Sequence, residues 1–164
     1  MSNVVKIFNK SKNSLPEYAS KLAAGLDLKA DLFDKKISDF IGEGFTYEDN
    51  KITLSPQGRV LISTGLYFAI PDGYEIQVRP RSGLALKYGI SVLNSPGTID
   101  ADFRGLCGVI LINTGIKNFD INDGDRIAQA VLNKVEQIEW YQVDDVQKLG
   151  DTERGTGGFG HTGK

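Results

Sequence analysis

This chain of 164 residues has one cysteine, one histidine, one methionine and one tryptophan. A single thiol excludes a disulfide framework within the chain. Cys107 stands in the apolar run CGVILIN and reads as a small core residue rather than a nucleophile. With His161 as the sole imidazole, no His/Cys set exists for a zinc site. Long apolar runs are also missing. The N-terminal MSNVVKIFNKSKN offers neither a signal peptide nor a membrane span, so a soluble protein of the reducing cytoplasm is expected, with no membrane partner. Nor is there an excess of positive charge. A net charge of -2 argues against a nucleic-acid polymer as partner, since phosphate attraction needs a basic surface. A small anion needs only a local cluster of charge and stays open.

What is present is ordinary in amount and informative in order. Hydrophobic residues make up 40% and charged residues 24%, enough for one domain with a sizeable core. Short β-type runs recur between glycine, proline and asparagine: Val4 to Phe8, Arg59 to Ile70 with Gly65 as a bend or bulge, Tyr74 to Arg79, Ile90 to Leu93, Cys107 to Ile112 and Ile127 to Val135. Pro71-Asp72-Gly73 reads as a turn, and YEIQVR alternates as a strand with one buried face does. An all-β sandwich or barrel follows. One short helix is expected at Ser82–Gly89, capped by Ser82 and ended by Gly89, with Arg81 just before it as part of an anion site. The polar stretch 31–57 contains EGFTYEDNKI, a small hairpin or folded loop.

Three further patches bear chemistry. In GTIDADFRG (97–105), a tight turn after Asp100 groups carboxylates with the Phe103 ring. Asp100 can serve as a general base toward water, or the carboxylates can hold a metal or pair with Arg104. In GDRIAQ (124–129), Arg126 and Gln129 supply donors and Asp125 can hold an arginine. The final RGTGGFGHTGK (154–164) has five glycines among eleven residues, too few apolar groups to pack itself down. Its arginine, phenylalanine and threonine suit closure over a ligand with a flat base and phosphates. Residues 1–150 are therefore read as one β domain and 151–164 as a closing arm.

AAGLDLKA (23–30), RPRSGLALK (79–87), NSPGTIDADFRG (94–105), GDRIAQAV (124–131) and RGTGGFGHTG (154–163) together resemble the ordered motifs of the homotrimeric dUTP diphosphatases. The resemblance implies a jelly roll, or β-clip, assembled as a homotrimer whose active sites gather motifs from more than one subunit. It implies hydrolysis of dUTP to dUMP and pyrophosphate, which limits uracil in DNA and supplies dUMP for dTMP synthesis. Asp100 matches the catalytic aspartate that activates water for attack on the α-phosphorus. Arg81, Ser82, Gly83 and Gln129 match phosphate binders. Asn94, Gly97, Thr98 and Ile99 match the β-hairpin that reads uracil through backbone groups. Phe103 stands where the family commonly has tyrosine, under the deoxyribose. Arg154 and Thr162 match binders of the γ-phosphate, helped by backbone N–H groups around Gly160, and Phe159 matches the ring stacked on uracil. Magnesium would be carried by the phosphates and water, with no direct protein ligand, and Asp27 would support the metal-water shell or the fold. Asp125 and Arg126 would support the subunit contact.

Two rivals stand beside this reading. A dCTP deaminase shares the fold, but its chemistry does not call for the full arginine-to-phenylalanine tail. A non-enzymatic nucleotide-binding trimer that regulates another protein could drop its base or tail, whereas Asp100, Arg81, Gln129, Arg154 and Phe159 are all present.

Overall fold

A computed structural model describes residues 4–158. Its strands run in chain order as β1 (Lys6–Asn9), β2 (Leu26–Lys29), β3 (Ile41–Glu48), β4 (Lys51–Ser63), β5 (Leu66–Ala69), β6 (Tyr74–Arg79), β7 (Ile90–Val92), β8 (Gly97–Ile99), β9 (Gly108–Asn113), β10 (Phe119–Asn122) and β11 (Arg126–Lys134). One α-helix, α1 (Ser82–Tyr88), interrupts them. All pairings are antiparallel. One sheet has the order β2-β11-β6-β8. A second has the order β10-β4-β9-β7, with β3 also on β4, and a third pairs β1 with β5. This is the β-rich architecture that the turn-punctuated sequence predicts. Among the described residues, no helix is long and apolar enough to cross a membrane.

Alternation places the core. In β9, Val109, Leu111 and Asn113 point inward. In β4, Ile52, Leu54, Val60 and Ile62 do the same. They join Leu28, Phe68, Ile76, Val78, Ile99, Ile121 and Ile127 in one apolar cluster drawn from all three sheets. Buried Asn113 keeps its place by donating to the carbonyls of Leu54 and Lys117 and accepting from Gly115 N–H.

The expected run Arg59–Ile70 is in fact two strands in different sheets. Gly65 has φ +71°, and a Cβ there would lie 2.5 Å from the Ser11 side chain, so the chain turns out of one sheet and into the next at that residue. The turn at Pro71–Gly73 is present, closed by Tyr74 N–H to Pro71 C=O. EGFTYEDNKI forms a hairpin whose Asp49 and Asn50 both take positive φ, as a two-residue primed turn requires. Its inner aromatics are anchored: the Phe40 and Tyr47 rings lie 4.9 Å apart, and Tyr47 Oη donates to Leu32 C=O.

The helix is where the sequence puts it, but its start differs. Arg81 holds the N-cap position with extended φ/ψ, no side chain caps the first turn, and Ser82 is the first helical residue. Gly89 ends it in the left-handed conformation. The polar lead-in after β11 has a 3-10 turn at Val146–Leu149, where the Asp145 carboxylate accepts from Gln147 N–H.

Candidate functional site

The first group of candidate residues converges where three strands end. On β11, Gln129 is opposite Asp27 of β2 on one side and Arg79 of β6 on the other. Pro80 then ends β6, since it has no N–H for the ladder, and Arg81 leaves the sheet directly above Asp27. The Asp27 carboxylate takes both neighbouring arginines: Oδ1 lies 3.0 Å from Arg81 Nε and Oδ2 3.1 Å from Arg126 Nη1. Arg81 Nη1 also donates to Arg126 C=O at 2.9 Å, and Gln129 Nε2 donates to Pro80 C=O at 2.8 Å. Two guanidiniums on one carboxylate leave an excess of positive charge. The Arg81 and Asp27 side chains are only 26% and 22% exposed, so that charge is screened less than on an open surface. Exposed Ser82 and Gly83 follow at once. Beside this cradle lies a cavity of about 290 Å³ whose lining includes Arg81, Arg126, Asp125, Leu84, Tyr88 and Phe119.

Asp125 does not hold an arginine, contrary to the sequence expectation. Its carboxylate accepts from the backbone and side-chain N–H groups of Asn122, closing the turn before β11, and Asp27 does the clamping instead. The carboxylate that orients the arginines therefore sits on a strand distant in sequence and adjacent in space.

The second group lies on β8 and the turn after it. Expected as one hairpin, Asn94–Ile99 is not: β7 pairs with β9, β8 pairs with β6, and the arms diverge into separate sheets around Asn94. Inward Ile90, Val92 and Ile99 each follow the apolar face of their own sheet, which draws the two arms apart. The Asn94 Nδ2 amide stays close to the Gly97 backbone. Because β8 is the last strand of its sheet, its outer edge carries backbone N–H and C=O groups not used in that ladder. Asp100 follows, exposed, and Phe103 N–H closes a turn onto Asp100 C=O at 3.2 Å. Arg104 does not pair with the carboxylates. Its Nη1 donates to the carbonyls of Ala101 and Phe103. The Phe103 ring is 45% exposed and lies over Gly105, where a Cβ would come within 2.4 Å of the ring. Thr98, Ile99, Asp100, Phe103, Leu106 and Cys107 line a cavity of about 170 Å³. Cys107 is buried there, and burial pushes its thiol from 9.0 up to about 11, against a smaller opposing effect of the Thr64 hydroxyl.

Within one chain these groups do not meet. The β6–β8 register pairs Val78 with Gly97 and Ile76 with Ile99, so Asp100 emerges at the Glu75 end of β6 and shares a cavity with Tyr74 and Glu75. Arg81 follows the opposite end, and at the rise of an extended chain the two are roughly 20 Å apart. Of the arm, Arg154 is described: its Nε donates to Gly157 C=O at 2.7 Å, closing a local turn. Phe159, Gly160 and Thr162 lie outside the described residues. Sequence reasoning missed Tyr88 and Phe119, whose rings, 5.1 Å apart, floor the arginine cavity. Nothing in either local sequence marks them, because a pairing between a helix and a distant strand leaves no periodic trace.

A mostly β chain with an arginine–glutamine cradle at one end of a sheet and an exposed carboxylate beside an aromatic ring at the other defines a class: a β-clip protein with polar and aromatic groups gathered at both ends of one sheet. Solved structures agree on the fold. The chain aligns with a dUTPase of Staphylococcus bacteriophage 80alpha, solved with dUPNHPP, at a TM-score of 0.79 and 24% identity over 99% of this chain and 100% of that one. It aligns with the dUTPase from phage phi11 of S. aureus at a TM-score of 0.71 and 23% identity over 88% and 99%. Identity is higher to bacterial relatives. The chain is 46% identical to the deoxyuridine 5'-triphosphate nucleotidohydrolase of Finegoldia magna over 97% of this chain and 98% of that protein. It is also 46% identical to the protein of the same name from Fusobacterium nucleatum over 98% and 97%. The dUTPase family profile matches residues 47–163. The chain belongs to the dUTPase family.

Proposed function

We propose that this chain hydrolyses dUTP to dUMP and pyrophosphate in a site completed between copies of itself. The observation that supports it most is the division of labour along β6, with Asp100 and Phe103 at one end and the Asp27-clamped arginines with Gln129 at the other. A nucleoside triphosphate does not span roughly 20 Å from its α-phosphorus to its terminal phosphate, so one chain cannot use both groups on one substrate. A neighbour's cradle set beside Asp100 solves this, and closed rotational symmetry gives each copy one such junction. The family's homotrimer is that arrangement, with residues 151–164 as the arm that closes it.

In this reading the Asp100 carboxylate accepts a proton from a bound water. The water oxygen attacks the α-phosphorus, the bond to the α,β-bridging oxygen breaks, and pyrophosphate leaves. Asp100 then releases its proton to solvent. Carboxylates are modest bases, so fixed donors and orientation supply most of the acceleration. Arg81, Ser82, Gly83, Gln129 and Arg154 hold the pyrophosphate part as it departs. The open edge of β8 at Gly97–Ile99, with Asn94, reads the uracil. An amino group in place of its carbonyl would leave buried donors facing each other, at a cost of about 1–3 kcal/mol each. Phe103 packs against the deoxyribose and crowds a 2′-hydroxyl, and Phe159 stacks on the base.

Magnesium fits as a group carried by substrate. Among the described residues no cluster of three His, Cys, Asp or Glu side chains could hold an ion, and both Asp27 oxygens already serve guanidiniums. Bound to the phosphates and its own waters, the ion would neutralise charge on the phosphoryl oxygens. The deciding experiment is pyrophosphate release from dUTP, dCTP, dTTP and UTP, with magnesium and with chelator. Release from dUTP alone, lost with chelator, is expected. Release from UTP as well would remove Phe103 from sugar selection. Binding of dUTP without release would favour the non-enzymatic trimer.

A further inference from the structure

Gly25 precedes β2 and has no obvious reason to be glycine. Its φ lies outside the positive range that favours glycine, and it is not in a hydrogen-bonded turn. What it faces is specific. A Cβ built on Gly25 would lie 2.5 Å from Gln129 Oε1 and 3.3 Å from Gln129 Cδ and Cβ. The same Gln129 amide donates through Nε2 to Pro80 C=O, at the residue that leads into Arg81.

We infer that Gly25 is a positioning residue for the phosphate cradle: its missing side chain is the space in which the Gln129 amide turns toward Pro80. The inference rests on the function proposed above and deepens it. An amide so placed has Oε1 against the Gly25 backbone and one Nε2 hydrogen on Pro80. Its other Nε2 hydrogen remains for a ligand. The bond to Pro80 also helps fix the entry to Arg81, together with the Arg81 contacts to Asp27 and to Arg126 C=O. A methyl group at position 25 meets the far end of a flexible side chain most closely, at Oε1, with Gln129 Cβ at 3.3 Å and no backbone atom nearer. The amide therefore swings aside while the strands stay paired, and the cost falls on the cradle instead of the fold.

Gly25→Ala tests this in the full-length chain, alone and combined with Gln129→Ala. Expected are a melting temperature near that of the parent and a kcat/KM for dUTP lower on the order of tenfold, as small misplacements of binding groups produce. Gly25→Ala should add almost nothing once Gln129 is alanine, because the two act as one unit. Additive losses would overturn the inference, as would a Gly25→Ala chain that no longer folds. A second readout does not depend on turnover: the side-chain amide resonances of Gln129 should shift in Gly25→Ala while the backbone resonances of β6 hold. Unchanged amide resonances would overturn the inference even in an active enzyme. A parent chain without dUTP turnover would sink the proposed function and leave the resonance test to decide the role of Gly25.

Discussion

The two ends of β6 are built on opposite plans. At the Arg81 end the polar groups are already engaged: two guanidiniums on Asp27, one of them also on a carbonyl, and the Gln129 amide on Pro80. At the Asp100 end the carboxylate is exposed, Arg104 is turned onto backbone carbonyls instead, and the nearby ring lies open over Gly105. A binding region gains from donors fixed before the ligand arrives, because less ordering is lost on binding. A reacting carboxylate gains from being uncommitted, because a salt bridge would hold its electron pairs away from water. The contrast teaches that one sheet can hold fixed polar groups at one end and a free carboxylate at the other; under the proposed function these would hold the leaving group and carry the attack.

The sharpest break in this contrast is Asp100→Asn. It removes the proposed base and keeps the shape, so dUTP binding should persist while turnover falls about 10²- to 10⁴-fold. Undiminished turnover would remove Asp100 from the chemistry. Next comes subunit mixing. Chains bearing Asp100→Asn and chains bearing Arg81→Ala should each be nearly inactive, yet unfolded together and refolded they should recover activity at about a quarter of the sites. No recovery would mean that both groups act within one chain. A smaller effect is expected from Asp27→Asn, which weakens the clamp without touching substrate. KM for dUTP should rise roughly tenfold, with kcat changed much less. A fall in kcat alone would place Asp27 with the chemistry instead. Smallest at neutral pH is Cys107→Ala. The folded thiol titrates near 11 and an unfolded one near 9.0, so the unfolded chain loses its proton first. The stability that the buried neutral thiol maintains is complete below pH 9 and drains away as pH rises toward 11, by roughly 2–3 kcal/mol. Chemical denaturation across that range should show a loss larger by about this amount in the parent than in Cys107→Ala.

Much of the architecture is legible in the sequence because it is local. YEIQVR alternates and is β6 residue for residue, Gly89 ends α1, and Asp-Asn makes the hairpin turn. The motif segments before the arm also mark the residues that gather at the two ends of β6. What is not legible depends on pairs far apart in sequence. Proximity along the chain assigns the clamp to Asp125, the carboxylate next to Arg126, whereas the sheet order brings Asp27 there and leaves Asp125 to close a turn. The run Arg59–Ile70 looks continuous because its apolar residues hardly pause at Gly65, and only packing on Ser11 shows that the chain changes sheets. The segment Asn94–Ile99 divides because each arm follows a different apolar face. Residue type assigns a cap to Ser82, but the chain enters the helix one residue earlier, at an arginine that is drawn to Asp27.

The burial of Cys107 makes the molecule its own stopwatch. Cys107 lines the same cavity as Asp100 and Phe103, is 2% exposed, and its thiol stays protonated far above neutral pH. An alkylating reagent can reach it only when the packing around it opens and a thiolate forms. The rate at which this single thiol is modified thus counts openings of the sheet end that bears Asp100, with no engineered probe. Slower modification in the presence of a non-hydrolysable nucleotide would time how firmly a bound ligand pins that end in place.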